Sequence, residues 1–62
     1  MVETVKKTLE IMSYIVNSSK SVKVSDVART FNMSVSNASR YLKIFEQYGI
    51  VIRKRDGSYI PG

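Results

Sequence analysis

Two short apolar stripes on either side of Asn32 constrain this chain more than any other feature. Val27, Ala28 and Phe31 make the first, and Ala38, Tyr41, Leu42 and Phe45 make the second. Each set has the three- and four-residue spacing of one helical face, so each segment reads as an amphipathic helix. The few residues between them leave room only for a tight turn. Ala28 is small where a second helix must come close. Asn32 is among the few non-glycine residues that tolerate a left-handed backbone, and Met33 can plug the corner. Two helices must therefore pack across a sharp bend.

The flanks complete the architecture. Residues 3–17 read as a first helix, with Val5, Leu9, Met12 and Val16 as its core stripe and Glu3 favouring its start. The polar run at residues 17–21 ends it. Val22-Lys23-Val24 alternates as a very short strand, and Ser25 reads as the N-cap of a helix beginning at Asp26. Ser34 caps the next helix, which should run to about Tyr48 and stop at Gly49. Ile50-Val51-Ile52 is β-branched and reads as a strand. Asp56-Gly57 signals a hairpin, with Ser58-Tyr59-Ile60 as the returning strand. Pro61, which has no N–H, should end the pairing. The expected fold is α+β: three helices with a small antiparallel sheet, a winged helix-turn-helix. Residues 1–62 read as one domain, without repeat or linker.

Composition narrows the function. Cysteine and histidine are both absent, so no disulfide, thiolate metal site or histidine-based catalytic pair can form. The five carboxylates are scattered, which speaks against a metal site built of carboxylates alone. No enzyme and no cofactor are expected. Ten Lys and Arg against five acids give a net charge of +5 and a pI near 9.8, a balance that suits a polyanionic partner. No apolar run reaches the ~20 residues of a membrane helix, and no signal peptide is visible, so a cytoplasmic protein is expected.

The outward face of the third helix carries Ser34, Ser36, Asn37, Arg40 and Lys43, with Gln47 at its end. Asn pairs bidentately with adenine and Arg with guanine, so Asn37 and Arg40 are the candidates for reading bases of double-stranded DNA. Ser34 and Ser36 lie near a helix N-terminus, where backbone N–H groups and hydroxyls suit phosphate, and Lys43 can reach a second phosphate. Arg53, Lys54 and Arg55 of the hairpin would follow the backbone or enter the minor groove. They also suit a plainer role, since charge on an edge strand deters aggregation.

Residues from about 4 to 60 resemble the DNA-binding domain of bacterial and archaeal winged-helix transcription regulators, and the IclR type most. The residues that carry the likeness are 27–42, then an apolar helix end, Gly49, a strand and the basic hairpin. In that family Gly usually stands where this chain has Asn32. There an effector domain follows the wing, whereas this chain stops at Gly62, so the resemblance implies DNA binding and not ligand sensing.

The expected function is a sequence-specific transcription regulator, a minimal repressor acting by occlusion. A low-specificity architectural DNA binder and a winged helix that docks on protein are the alternatives. Winged helices for left-handed DNA carry an Asn and a Tyr four residues apart. Asn37 and Tyr41 have that spacing, but Tyr41 shares the buried stripe and the wing lacks proline before Pro61. A homodimer is expected through Ile11 and Tyr14. These lie roughly 120° and 180° around the helix from Val5, at about 100° per residue, and so fall off the stripe assigned to the core.

Overall fold

The computed structural model describes residues 2–62, with side chains from residue 3. In chain order the elements are α1 (Val2–Asn17), α2 (Val24–Thr30), α3 (Val35–Gln47), β1 (Val51–Arg53) and β2 (Tyr59–Pro61). The strands pair antiparallel, with Val51 opposite Pro61, Ile52 opposite Ile60 and Arg53 opposite Tyr59. Val22 adds a single bridge to the far edge of β2, exchanging two 2.8 Å backbone hydrogen bonds with Tyr59. The expected winged helix-turn-helix is what the chain forms.

Both inner helices end in the same way. Phe31 follows α2, and the next residue, Asn32, is left-handed at φ 54°. The Met33 N–H donates to the Ala28 carbonyl at 2.9 Å, and the Asn32 N–H to that of Arg29 at 3.4 Å. α3 repeats the pattern: Gly49 has φ 75°, Ile50 N–H donates to Phe45 at 2.8 Å and Gly49 N–H to Glu46 at 3.0 Å. These are Schellman closures, which satisfy the last carbonyls and turn the chain sharply within three residues. In α2 that turn sets the angle to α3, and in α3 it sends the chain into β1.

The core is Ile11, Ile15, Val22, Val27, Ala28, Ala38, Leu42, Phe45, Val51 and Tyr59, with Tyr14, Phe31, Met33 and Tyr41 packed around it. The stripes of α2 and α3 are therefore as read from the sequence, and that of α1 is not. Ile11 and Ile15 are 0% and 1% exposed, while Val5, Leu9 and Val16 are all more than half exposed. α1 has two apolar rows, and the fold buries the one that continues through half-buried Lys7 and Thr8. Each of these polar residues finds a partner there. The Lys7 ammonium lies 5.8 Å from the centre of the Phe31 ring, and the Thr8 hydroxyl donates to the Thr4 carbonyl at 2.8 Å.

This placement corrects the expected dimer contact. Ile11 is at the centre of the monomer core. Tyr14 meets Phe31 edge-on, with ring centres 5.6 Å apart, and its hydroxyl faces that of Thr30 at 3.5 Å. Ile11 is therefore closed to a second copy, whereas Tyr14 is half-buried and spends its ring on Phe31.

Three local expectations also change. α2 starts at Val24 rather than Asp26, and Ser25 lies inside it. The reason is Asp26, whose carboxylate accepts from the Lys23 N–H at 3.0 Å and so draws the start of the helix forward. Val22 bridges alone, since Val24 is already helical. Pro61 does not end the pairing: it is placed opposite Val51, and Gly62 N–H continues the ladder to the Ile50 carbonyl at 2.9 Å. A proline is harmless at a position that donates no ladder bond.

Candidate nucleic-acid interface

α3 presents its polar side outward because Ala38, Leu42 and Phe45 are locked inward on the opposite face. Ser34, Ser36, Asn37, Arg40 and Lys43 are all exposed. Positions 36, 37, 40 and 43 recur at the spacing of one helical face, so the helix itself brings these side chains together. Ser34 is the N-cap, as expected, and its hydroxyl oxygen accepts from the Asn37 N–H at 3.1 Å. That leaves its own O–H proton free to donate, at the end of the helix where the dipole favours an anion.

The wing is a tight hairpin. Lys54 N–H donates to Ser58 at 2.7 Å, and Gly57 N–H donates back to Lys54 at 3.0 Å, so Arg55 and Asp56 occupy the middle of a four-residue turn. Gly57 follows with φ 89°. Asp56 does not share the positive φ, so this is not the two-residue turn that Asp-Gly most often makes. Arg53 lies at the end of β1, and Lys54 and Arg55 on the turn, all three exposed.

Charge on these surfaces is uncommitted. Among the described residues the only ion pair joins Arg29 to Asp26 at 2.8 Å, within α2. Arg40, Lys43, Arg53, Lys54 and Arg55 hold no carboxylate, so no ion pair within the chain must break before they meet phosphate. Two acids are held below their ordinary value of 3.8. For Asp26 the cause is first the Lys23 N–H, opposed next by desolvation, with the Arg29 guanidinium lowering it further. For Asp56 it is the Ser58 hydroxyl and then the Ser58 N–H, with Lys54 and Lys23 nearby in support.

Sequence reasoning placed every α3 and wing candidate on the surface and missed one arrangement. Asp56 Oδ1 accepts from both the N–H and the hydroxyl of Ser58, at 2.9 and 2.6 Å, and Ser58 is fully buried. The Asp-Gly-Ser order carries that signal, because Asp commonly bonds the backbone two residues on. No described helix is long and apolar enough to cross a membrane.

Comparison with known proteins agrees with this geometry. Residues 6–53 match the family model described as bacterial regulatory protein, arsR family. The structure is similar to that of the Thermotoga maritima IclR, with a TM-score of 0.95 and 47% identity over all of this chain and 25% of that one. It is also similar to the Agrobacterium tumefaciens repressor BlcR, with a TM-score of 0.81 over 98% of this chain and 24% of that one; at 16% identity, that likeness is one of fold. The chain thus spans about a quarter of the length of both proteins. No curated protein matches it. The expected resemblance to winged-helix regulators near the IclR type is borne out.

Proposed function

The chain belongs to the arsR family of bacterial regulatory proteins, as a winged-helix DNA-binding domain of a transcription regulator, and we propose that it reads a specific operator in double-stranded DNA. α3 enters the major groove, Asn37 and Arg40 meet base edges, and Ser34, Ser36 and Lys43 hold the flanking phosphates. Arg53, Lys54 and Arg55 track the neighbouring backbone or minor groove. One observation carries the reading: Asn37 and Arg40 stand exposed and without an ion pair on a helix fixed from behind by the fully buried Ala38 and Leu42. Rigid placement of bidentate side chains is what base readout requires.

Repression is the simplest regulatory output of this reading, since occupying an operator blocks what would otherwise bind there. The BlcR relative is itself a repressor. A DNA partner suits a cytoplasmic protein. Two copies on one site suit a domain of this size, with two recognition helices about 34–36 Å apart on a two-fold operator. With Ile11 inside the monomer and half-buried Tyr14 packed on Phe31, the row that suits a pair is exposed Val5, Leu9 and Val16, with half-buried Met12 among them. Its four-three-four spacing is that of a heptad seam, which a two-fold partner can match with the same residues.

Selection of bound fragments from random duplex DNA tests the reading. A sharp consensus, with half-sites one turn apart, is expected. A flat profile whose affinity falls steeply with salt would replace it with an architectural, phosphate-dominated binder.

A further inference from the structure

The wing holds an acid where a polyanion should dock. Asp56 is at the exposed tip, directly after Arg53-Lys54-Arg55. As a charge it opposes DNA, although at about 10 Å in water and physiological salt that repulsion is worth no more than roughly twofold in affinity. As an acceptor it has another effect. Its Oδ1 takes the N–H of Ser58 at 2.9 Å and the hydroxyl at 2.6 Å. Ser58 is fully buried, and its carbonyl in turn accepts the Lys54 N–H at 2.7 Å. The next residue, Tyr59, is bonded to Val22 on the other side. One carboxylate oxygen therefore ties the free tip of the wing to the body of the fold.

We infer that Asp56 is a positioning residue for DNA binding, holding the wing turn so that Lys54 and Arg55 are presented in fixed positions. Without the carboxylate oxygen, the buried Ser58 hydroxyl and the Ser58 N–H both lose their acceptor next to the turn. Leaving such a group unsatisfied outweighs the small electrostatic relief. The same contacts, with the Lys54 and Lys23 charges, keep Asp56 ionised well into the acid range, so the tie persists at neutral pH. This inference rests on the wing meeting DNA as proposed above.

Asp56→Asn and Asp56→Ala separate geometry from charge, because both remove the same negative charge and only Asn keeps an acceptor oxygen. Affinity for the selected operator and for scrambled duplex is measured at several salt concentrations, together with amide hydrogen exchange of the free proteins. Asp56→Asn should bind as well as the unmodified chain, or up to about twofold tighter. Asp56→Ala should bind about 3–10-fold more weakly than Asp56→Asn, the order of a net hydrogen-bond contribution, because both Ser58 donors lose their acceptor. Its salt slope should be shallower by about one unit, as one wing cation loses its phosphate. The Ser58 and Gly57 amides should exchange faster in Asp56→Ala and remain protected in Asp56→Asn. Equal tightening by both variants, or unchanged Ser58 protection in Asp56→Ala, would overturn the positioning role while leaving DNA binding intact. If the unmodified protein binds no duplex, the DNA reading itself fails, and the role of Asp56 in binding goes with it.

Discussion

Met33 donates its N–H to the carbonyl of Ala28 at 2.9 Å, closing α2 across the left-handed Asn32. Ile50 and Phe45 repeat the relationship at the end of α3, across Gly49. One geometry is thus served by two residue types, and the helix-turn-helix angle rests on the less permissive of them.

Asn32→Gly should be neutral or mildly stabilising, because glycine adopts φ near 54° without steric cost. Asn32→Val should destabilise by at least ~1–2 kcal/mol, since a β-branched residue is poorly tolerated there. Thermal melts of the two variants decide the matter. A lower melting temperature for Asn32→Gly than for Asn32→Val would remove the turn from its assigned role.

The core assignment predicts pairs of neighbours with opposite sensitivity. Leu42→Ala and Ile11→Ala should each cost ~2–5 kcal/mol, since both side chains are fully buried in a small core that cannot easily collapse. Lys43→Ala should leave stability within about 0.5 kcal/mol. Leu9→Ala, on the exposed row of α1, should cost far less than Ile11→Ala in dilute protein. If denaturant titration finds Leu9 the more sensitive of the two, α1 is rotated from the position described.

That contrast between Leu9 and Ile11 shows where the sequence was legible. In α3 every signal agrees: Ser34 caps, Ala38 and Leu42 face inward, and Gly49 stops the helix. The helix, its faces and its outward candidates Asn37 and Arg40 could be read directly. α1 carries apolar residues on two faces, and the longer uninterrupted row is the exposed one. The buried row passes through Lys7 and Thr8, whose identity suggests solvent, so periodicity alone chose wrongly. Ser25 misled for a related reason, because an acid at Asp26 can set the helix start as well as a hydroxyl can. In the wing, the cations were legible as charge. The tie from Asp56 to Ser58 was not, because serine reads as polar surface until its burial is known.

Acid should weaken the fold through two carboxylates. Asp26 and Asp56 both have folded values below the ordinary 3.8, from hydrogen bonds made only in the native state. A depressed carboxylate stabilises above its unfolded value and loses that contribution as pH falls through its folded value. Their contribution should therefore be intact at pH 5 to 7 and should drain away below about pH 4. Asp26→Asn combined with Asp56→Asn should have a shallower acid decline than the unmodified chain. Identical melting temperatures for the two proteins at every pH down to 3 would deny these carboxylates that role.

Assembly should depend on the exposed row of α1. Leu9→Glu combined with Val16→Glu puts charge on that row without entering the core, so the variant should stay folded. It should be monomeric by light scattering, with operator binding reduced and half-site binding retained. If the unmodified protein is monomeric at high concentration both free and on the operator, the row has another purpose.

Arg40 and Arg55 should differ in kind as well as in size of effect. Both are exposed and outside the only described ion pair, so neither substitution should disturb the fold. Arg40 projects from α3 one turn after Asn37, where a bidentate contact with one base is geometrically available. Arg40→Ala should cost ~1–3 kcal/mol on the operator and relax preference at a single base position, with little loss on scrambled DNA. Arg55 sits on the wing turn, where phosphate is the expected partner. Arg55→Ala should weaken every duplex alike and lower the salt slope by about one unit. Titrations of both variants on operator and scrambled duplex at several salt concentrations separate the two roles. Equal losses on both duplexes for Arg40→Ala would make Arg40 a phosphate contact and shift base reading toward Asn37.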